Sequence, residues 1–524
     1  MSIYGADISA PFFLHAVYAR KRAEGGMDMS LIDVRNLSFY YEGTYDYIFE
    51  NVNFQMDTRW RLGLVGRNGR GKTTFLNLLM GKMEYQGEII TDTLFDYFPF
   101  EVAHPKKSVM EIIEEVDENC EFWKICREMT QIGLDMEVLE RSFDTLSHGE
   151  QTKVLLAILF ARENYFLLID EPTNHLDMEA REVVCDYLKE KEGFILVSHD
   201  RYFLDGCVDH ILAVNRHGIE IEKGNFSSWW ENRQRQDAFE RAENARLEKD
   251  IRRLKMAAGQ AHRWADKVES TKIGKKSMAY ERNRDYVGER SRRMQQRRKN
   301  LEHRQEKEIE AKEKLLKNVE TTESLFLKPL VHHKSCLAEL KNLRVVYGEK
   351  EVCRNVNLKV NQGQRIALQG SNGCGKSSIL KLIVGENVPH EGQVITAEGL
   401  KISYVPQDTS WLTGSLKIFA KRCELDETLF FTLLRKMDFS REQFEKPMQT
   451  YSSGQKKKVL LARSLCQQAH LYIWDEPLNY IDIFSRMQIE TFIKNACPTM
   501  LIVEHDRKFL ENTADLIISM DFQC

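Results

Sequence analysis

Gly66-Arg67-Asn68-Gly69-Arg70-Gly71-Lys72-Thr73 is the stretch that decides the fold of this chain. It follows a short apolar segment, Arg61 to Val65, and leads into a helical pattern from Thr73 to Met80. A strand that passes through a glycine-rich loop into a helix presents backbone N–H groups and a helix N-terminus to phosphate oxygens. The lysine of such a loop reaches the β- and γ-phosphates, and its hydroxyl binds Mg²⁺. The stretch therefore predicts a nucleotide site in an α/β domain.

The same loop returns 304 residues later as Gly370-Ser371-Asn372-Gly373-Cys374-Gly375-Lys376-Ser377. Three more motifs repeat in the same order at offsets of 305 or 306: Leu146 to Gln151 returns as Tyr451 to Gln455, Asp170-Glu171-Pro172 as Asp475-Glu476-Pro477, and His199-Asp200 as His505-Asp506. A nearly constant offset over four motifs indicates a duplicated domain. The matching strands are predicted at Phe166 to Ile169, Phe194 to Val197, Arg365 to Leu368, Leu471 to Trp474 and Met500 to Val503, with a second helix at Ser377 to Val384.

Each repeat contains the residue types that ATP hydrolysis requires. The predicted ATP-binding residues of the two loops are Gly66, Asn68, Gly69, Gly71, Lys72, Thr73 and Thr74, then Gly370, Asn372, Gly373, Gly375, Lys376, Ser377 and Ser378. The hydroxyls and the acids that end two apolar strands are predicted to hold Mg²⁺: Thr73, Asp170, Ser377 and Asp475. The predicted catalytic residues are Glu171 and Glu476, which orient water, and His199 and His505, which approach the γ-phosphate.

Composition limits the class of protein. The chain has 524 residues, of which 42% are hydrophobic, enough for two or three globular domains. No apolar run approaches the roughly 20 residues of a membrane-spanning helix, so a soluble protein is expected. Eleven cysteines without metal-ligand spacing are typical of a reducing compartment, and we expect a cytoplasmic protein. Residues 1–28 precede the domain pattern, and two interpretations stay open: a disordered leader and a mis-assigned start codon, with Met27 or Met29 as the true start.

The segment between the repeats is basic. Residues 246–304 contain 19 Lys and Arg against 8 Asp and Glu, a net charge of +11, which leaves −15 for the rest of a chain whose total is −4. Two helical patterns, Trp229 to Lys267 and Glu289 to Ser324, predict a hairpin with its tip near Val268 to Gly288, and only Gly259 interrupts the first. Its basic residues are predicted to bind RNA phosphates: Lys272, Lys275, Lys276, Arg290, Arg292, Arg293, Arg297 and Arg298. A solvated charged spacer is the alternative.

Ser147 and Ser452, each followed two residues later by a glycine, decide the superfamily. With the other motifs they closely resemble the ATP-binding cassette (ABC) superfamily, in which the signature of one half closes over the phosphate loop of the other. The resemblance implies two composite ATP sites, Lys72 with Ser452 and Lys376 with Ser147. It also implies further ATP-binding residues: Gly149 and Gly454 in the signatures, Asp177 and Asp482 in the D-loops, Gln407 in a Q-loop, and Tyr41 and Tyr347 against adenine.

Two departures from the family pattern predict unequal sites. Phe100 stands where the second half has Gln407, and Glu101 is a possible substitute for that glutamine. The second signature has Tyr451 and Ser453 where the common form has leucine and glycine. We expect the two sites to hydrolyse ATP at different rates.

Two cassettes joined by a charged helical linker resemble the ABC-F group of ATPases. Asp170 to Asp177 has its typical form, and Trp474 to Asp482 resembles the antibiotic-resistance branch of Lsa, Vga and Msr type. The resemblance implies tandem ABC-type P-loop NTPase domains at residues 29–228 and 325–524, joined by an antiparallel α-helical hairpin at 229–324. It implies a monomer that binds the ribosome near the E site, contacting large-subunit rRNA and P-site tRNA, and dislodges large-subunit antibiotics. A housekeeping ABC-F translation factor, the ATPase of a transporter and, less favoured, a DNA-repair ATPase stay open.

Overall fold

The computed structural model describes residues 31–41, 47–117, 121–162, 165–174, 176–215, 218–270, 329–348, 350–437 and 439–520. The chain forms two compact units. One unit is the linker segment, residues 227–324, and the other contains both ATPase domains. We call the described residues from 31 to 225 cassette 1 and those from 329 to 520 cassette 2.

Cassette 1 combines a mainly parallel sheet with a small antiparallel one. Its strands are β1 (Leu31–Phe39), β2 (Phe49–Asp57), β3 (Arg61–Val65), β4 (Gln86–Ile90), β5 (Leu94–Phe98), β6 (Tyr165–Asp170), β7 (Phe194–Val197), β8 (His210–Asn215) and β9 (Gly218–Lys223). Its helices are α1 (Lys72–Leu79), α2 (Val109–Val116), α3 (Phe122–Gln131), α4 (His148–Ala161), α5 (Met178–Lys189) and α6 (Arg201–Cys207), with 3₁₀ turns at Met136–Glu140 and Phe143–Thr145. The large sheet has the order β5-β6-β7-β3-β8-β9, in which β9 alone pairs antiparallel, and the small one has the order β2-β1-β4.

The described part of the linker is one long helix, α7 (Phe226–Ser270), of 45 residues. At 1.5 Å per residue its length is about 68 Å. The first linker helix is therefore confirmed, but it begins three residues earlier than predicted and passes through Gly259 without a break. Helix α7 is described as far as Ser270, and most of the tip predicted near Val268 to Gly288 lies outside the described residues, so the position of the tip stays a prediction. The second predicted helix lies outside the described residues.

Cassette 2 repeats the architecture of cassette 1. Its strands are β10 (Cys336–Tyr347), β11 (Lys350–Asn361), β12 (Arg365–Gln369), β13 (His390–Thr396), β14 (Ile402–Val405), β15 (Leu471–Asp475), β16 (Met500–Val503) and β17 (Leu516–Ser519). Its helices are α8 (Lys376–Val384), α9 (Leu416–Arg422), α10 (Glu427–Lys436), α11 (Arg441–Glu445), α12 (Ser453–Cys466), α13 (Ile483–Ala496) and α14 (Arg507–Thr513), with a 3₁₀ turn at Met448–Thr450. The parallel sheet has the order β14-β15-β16-β12-β17 and the antiparallel sheet the order β11-β10-β13.

The central strands are apolar because both faces of each parallel sheet are covered. All four residues of β7 are buried, and so are all four residues of β16. A parallel sheet with helices on both faces requires such continuous apolar runs. The predicted strands and the two helices after the loops are confirmed to within one residue at each end.

The strand order gathers the motifs at one edge of each sheet. In cassette 1, β6 and β3 flank β7, all three parallel, so the residues that follow them lie side by side. In cassette 2, β15 and β12 flank β16 in the same way. Ligands of open α/β sheets bind at the carboxyl ends of the strands. The fold therefore places each phosphate loop, acidic pair and histidine at one such edge.

Candidate ATP sites

Each loop lysine folds back onto its own loop. Lys72 Nζ donates to the carbonyl oxygen of Gly66 at 2.8 Å and to Asn68 Oδ1 at 3.3 Å. Lys376 Nζ donates to the carbonyl oxygen of Gly370 at 2.7 Å. Burial lowers the pKa of Lys72, and nearby carboxylates oppose that shift. These loop oxygens hold each ammonium group at the mouth of the loop, where phosphate oxygens would replace them.

Glycine is required immediately before each lysine. Gly71 has φ +91° and Gly375 has φ +94°, in the left-handed region that L side chains rarely adopt. A Cβ built on Gly71 would lie 2.5 Å from Ile48 Cγ2. Glycine therefore permits both the left-handed turn and the close packing of a neighbouring side chain against the loop. The N-terminus of the following helix is left open.

The hydroxyl and acid of each loop fit a magnesium ion. Thr73 Oγ1 donates to Asp170 Oδ2 at 3.1 Å. Both carboxylate oxygens of Asp475 are buried and accept no hydrogen bond within the described residues. Burial raises the pKa of Asp475 to about 6, opposed by the hydroxyl of Ser377. Unpartnered buried carboxylate oxygens beside a hydroxyl match the oxygen ligands that Mg²⁺ prefers. Thr73 with Asp170, and Ser377 with Asp475, are thus placed to hold it.

The two predicted catalytic glutamates share an unusual backbone. Glu171 has φ +53° and Glu476 has φ +46°. Non-glycine residues with such angles cost free energy and persist where the surroundings fix them. Each is anchored through its amide, which donates to the carbonyl oxygen of Val197 at 2.8 Å and of Val503 at 2.9 Å, respectively. Each glutamate thus stands in a strained turn directly after a central strand.

The side-chain partners of the two glutamates differ. Gln407 Nε2 donates to Glu476 Oε2 at 2.9 Å, and Asn479 Nδ2 donates to the same oxygen at 2.8 Å. Burial alone would raise the pKa of Glu476, but His505 and Gln407 reverse that effect and hold it below its usual value. Burial and the neighbouring Asp170 raise the pKa of Glu171 to about 8. The two sites therefore hold their glutamates in different electrostatic surroundings.

Phe100 accounts for part of this difference. It lines a cavity of about 440 Å³ together with Phe98, Phe143 and Glu171. A phenyl ring offers no hydrogen-bond donor to the carboxylate, whereas Gln407 offers its amide. Glu101 is exposed and does not line this cavity. Its role as a substitute for the missing glutamine stays a prediction.

The histidines lie beside the glutamates. His199 Nε2 is 3.2 Å from Glu171 Oε1, and His505 Nε2 is 3.7 Å from Glu476 Oε1. Burial and the positive charge of Lys72 hold the pKa of His199 well below its usual value. Both histidines are buried, each at the sheet edge that carries the phosphate loop of its own cassette. The structure thus brings together each predicted histidine and glutamate.

The phosphate loop of cassette 1 meets the signature of cassette 2 through one carbonyl group. Asn68 Nδ2 donates to the backbone oxygen of Tyr480 at 3.1 Å. A Cβ built on Gly454 would lie 2.6 Å from that same oxygen. The Tyr480 carbonyl therefore lies between the loop containing Lys72 and the signature containing Ser452. Its counterpart in cassette 1, His175, lies outside the described residues. Both composite pairings, Lys72 with Ser452 and Lys376 with Ser147, stay predictions.

The signature serines and the D-loop aspartates begin helices. Ser147 and Ser452 are the N-caps of α4 and α12, each in a reciprocal capping box. Asp177 and Asp482 are the N-caps of α5 and α13. Capping residues of this kind satisfy the free N–H groups of the first turn. Their predicted contacts with nucleotide stay predictions.

Tyr41 and Tyr347 are placed alike in the two cassettes. Tyr41 Oη lies 2.8 Å from Thr74 Oγ1, and Tyr347 Oη lies 3.1 Å from Ser378 Oγ. Both rings are partly exposed beside the helix that follows the phosphate loop. This position is compatible with stacking on adenine. All eight basic residues predicted to bind RNA, from Lys272 to Arg298, lie outside the described residues.

The motif search missed several residues at the sites. Tyr97 Oη donates to Asp170 Oδ2 at 3.0 Å. Lys457 Nζ donates to the carbonyl oxygens of Pro406 at 2.9 Å and Asp475 at 3.2 Å. Lys458 forms a buried ion pair with Asp482 at 3.2 Å, and burial raises the pKa of that aspartate less than Lys458, the amide of Ser485 and the other nearby positive charges together lower it. A pair of arginines, Arg181 and Arg486, recurs at the repeat offset of 305 and could have been found by extending the offset search beyond the motifs.

Alanine at the signature glycine of cassette 2 should impair ATP turnover. In Gly454→Ala the new Cβ would lie 2.6 Å from the carbonyl oxygen of Tyr480. We expect this variant to lower ATP turnover at least tenfold, because the segment that contains Tyr480, which also contacts Asn68, must move. Steady-state ATPase rates measure the effect, and a wild-type rate in Gly454→Ala would contradict the prediction.

Comparison with known protein families agrees with this architecture. The ABC transporter family profile matches residues 49–174 and 353–479, which include both phosphate loops and both acidic pairs. The archaeal ribosome recycling factor aABCE1, solved in complex with the ribosomal stalk protein aP1, has a similar fold, with a TM-score of 0.60 and 19% identity. That likeness covers 92% of this chain and 87% of the solved one. The fold and the sites define an ATPase with two tandem ABC domains.

Two curated relatives extend over nearly the whole chain. The ribosome protection protein VmlR of Bacillus subtilis is 28% identical over 506 residues, covering 93% of this chain and 87% of the relative. The ATP-binding protein Uup of Buchnera aphidicola is 28% identical over 508 residues, covering 93% of this chain and 80% of the relative. The chain is thus similar over nearly its whole length to these two proteins and contains two ABC domains. Among its described helices, none has the length and apolarity needed to cross a bilayer.

Proposed function

We propose that this ATPase binds the ribosome in its ATP-bound state and dislodges large-subunit antibiotics of the lincosamide, streptogramin A or pleuromutilin type. The observation that carries the proposal is the similarity to VmlR, because it spans 93% of this chain and therefore includes the linker. The basic composition of the linker sequence supports it, since clustered arginine and lysine suit RNA phosphates. The proposed place of action is the cytoplasm, near the ribosomal E site, with large-subunit rRNA and P-site tRNA as partners.

The proposed cycle uses the two sites as one clamp. Lys72 and Lys376 bind the β- and γ-phosphates, while Ser452 and Ser147 approach from the opposite cassettes. Mg²⁺, when bound at Asp170 and Asp475, neutralises charge on the phosphates. Glu171 and Glu476 orient the attacking water. Hydrolysis then opens the clamp and releases the ribosome. The chemistry at the sheet edges is thereby coupled to the linker.

A housekeeping role in translation is the second candidate. It is favoured by the match to Uup, which is as similar to this chain as VmlR is. Both candidates require ribosome binding, and they differ only in the drug phenotype. The expected monomer, in which the two cassettes pair within one chain, is common to both.

Ribosome co-sedimentation tests the shared part of the proposal. The variant with Glu171→Gln and Glu476→Gln should pellet with ribosomes in the presence of ATP, and adding Arg290→Glu, Arg292→Glu and Arg293→Glu should reduce pelleting at least tenfold. The matched control makes the same charge change at exposed residues of cassette 2, Arg354, Lys359 and Lys401, and should still pellet. Absence of pelleting by the Glu→Gln variant would contradict ribosome binding, and recovery with membranes would support a transporter.

Drug tolerance separates the two candidates. Expression in a susceptible host should raise the inhibitory concentration of at least one of the three drug classes, and the Lys72→Ala, Lys376→Ala variant should not. Ribosome pelleting together with unchanged tolerance to all three classes would leave the housekeeping role and reject ribosome protection.

A further inference from the structure

Two arginines lie at the interface between the cassettes. Arg181 is in α5, four residues after Asp177, and Arg486 is in α13, four residues after Asp482. Each binds the aspartate that caps the helix after the histidine of its own cassette. Arg181 Nη1 is 2.9 Å from Asp200 Oδ2, and Arg486 Nη1 is 2.9 Å from Asp506 Oδ2.

Arg181 also reaches the opposite cassette. Its Nη1 donates to the backbone carbonyl oxygen of His505 at 3.1 Å, while its Nε donates to the carbonyl oxygen of Leu176 at 3.1 Å. Cassette 1 thus holds the guanidinium group at Nε and at Nη1. The same Nη1 also donates to cassette 2. A planar fork with several fixed donors is suited to bridging acceptors in this way.

The contact falls on the histidine of the second site. The amide of His505 donates to Glu504 Oε2 at 3.0 Å, so its own cassette fixes the residue from the N-terminal side. Arg181 fixes the carbonyl side from the other cassette. Both ring nitrogens of His505 are buried and form no hydrogen bond within the described residues. His505 Nε2 lies 3.7 Å from Glu476 Oε1, so a shift of the His505 backbone would change the distance between the ring and this glutamate.

Arg486 does not repeat the arrangement. Within the part of the chain that the structure describes, its hydrogen bonds go to Asp506 and to the carbonyl oxygens of Leu478 and Ile481, all in cassette 2. Within the described residues, the hydrogen bond from this arginine to the histidine of the opposite cassette is therefore made by Arg181 and not by Arg486.

We propose that Arg181 is a positioning residue that sets the backbone of His505 across the interface, so that the site containing Glu476 is complete only when the cassettes are closed. The inference rests on the proposed ATP hydrolysis cycle and on the catalytic role that the sequence predicts for His505. Among the described residues, the side chain of Arg181 donates to no other predicted ATP-binding or catalytic residue, so we expect it to act through the backbone of this histidine. Its loss should lower kcat and leave the KM for ATP unchanged, because misplaced groups slow a reaction without removing the binding contacts.

A double-mutant cycle tests the inference in the full-length chain. Arg181→Gln should lower kcat about tenfold with the KM for ATP within twofold, and His505→Ala should lower kcat further. The combined variant should be no slower than His505→Ala alone, since a residue that acts only through His505 has nothing left to position. A purely structural arginine would instead multiply the two losses.

Arg181→Lys and Arg507→Gln complete the experiment. Arg181→Lys keeps the positive charge beside Asp200 but lacks the fork, so we expect the kcat loss of Arg181→Gln with a wild-type melting temperature. Arg507 crosses the same interface to Glu182 at 3.0 Å on an exposed surface, and Arg507→Gln should keep kcat within twofold. Wild-type kcat in both Arg181 variants, or multiplicative loss in the cycle, would overturn the inference. Unchanged turnover in His505→Ala would instead reject the proposed role of His505, and this inference with it.

Discussion

Replacing Glu171 and Glu476 together by glutamine should lower ATP turnover by about 10²- to 10⁴-fold while ATP still binds. The amide keeps the size of the side chain but cannot accept a proton from the attacking water. Glutamine also preserves the anchoring of each backbone amide at 2.8 and 2.9 Å, so the strained turn should persist. Steady-state hydrolysis and equilibrium nucleotide binding, measured on the same preparation, check the two halves of this expectation.

The single substitutions should be unequal. Glu476 is oriented by Gln407 and Asn479, whereas Phe100 offers Glu171 no such donor. We therefore expect Glu476→Gln to cost more turnover than Glu171→Gln. Glu182→Gln, at an exposed position away from the sheet edges, is the control and should retain the wild-type rate. Turnover of the double variant within threefold of wild type would show that neither glutamate orients the water.

Arg201→Met should destabilise the paired cassettes by about 3–5 kcal/mol, the second large effect. Arg201 of cassette 1 forms an ion pair with Glu490 of cassette 2, and its Nη1 lies 3.3 Å from Glu490 Oε2. Their side chains are only 8% and 7% exposed. Removing one partner leaves an uncompensated buried carboxylate, which is far more costly than losing a solvated pair. The first unfolding transition in urea, followed by tryptophan fluorescence, measures the change.

An exposed pair at the same interface provides the control. Arg507 and Glu182 are 43% and 51% exposed, and Arg507→Met should change stability by less than about 1 kcal/mol. Replacing both buried partners, as in Arg201→Met with Glu490→Leu, should recover most of the loss, because an apolar pair needs no charge compensation. Equal effects of Arg201→Met and Arg507→Met would show that burial does not govern this contact.

Sequence patterns were enough to predict the fold. The phosphate loops, the acids after apolar strands and the constant offset specify two α/β domains, because each motif works only at a strand end next to a helix N-terminus. Strand β3 was predicted at its exact bounds, and so were β7 and β16. In the linker, helix α7 includes Gly259, as the helix predicted from Trp229 to Lys267 does, and it begins three residues earlier than predicted. A single glycine costs a long helix only about 1 kcal/mol, so it does not end one by itself.

The amino-acid sequence by itself determined the two ATPase domains, their motif residues and the absence of a glutamine at Phe100. Only the tertiary structure decided which groups face each other across the cassettes: Asn68 with the Tyr480 carbonyl, Arg201 with Glu490 and Arg181 with the backbone of His505. Two of these three contacts are made to backbone carbonyl oxygens. Because every residue has such an oxygen, no sequence motif can predict these contacts. The third joins side chains 289 residues apart, and it exists only because folding brings two helix faces together.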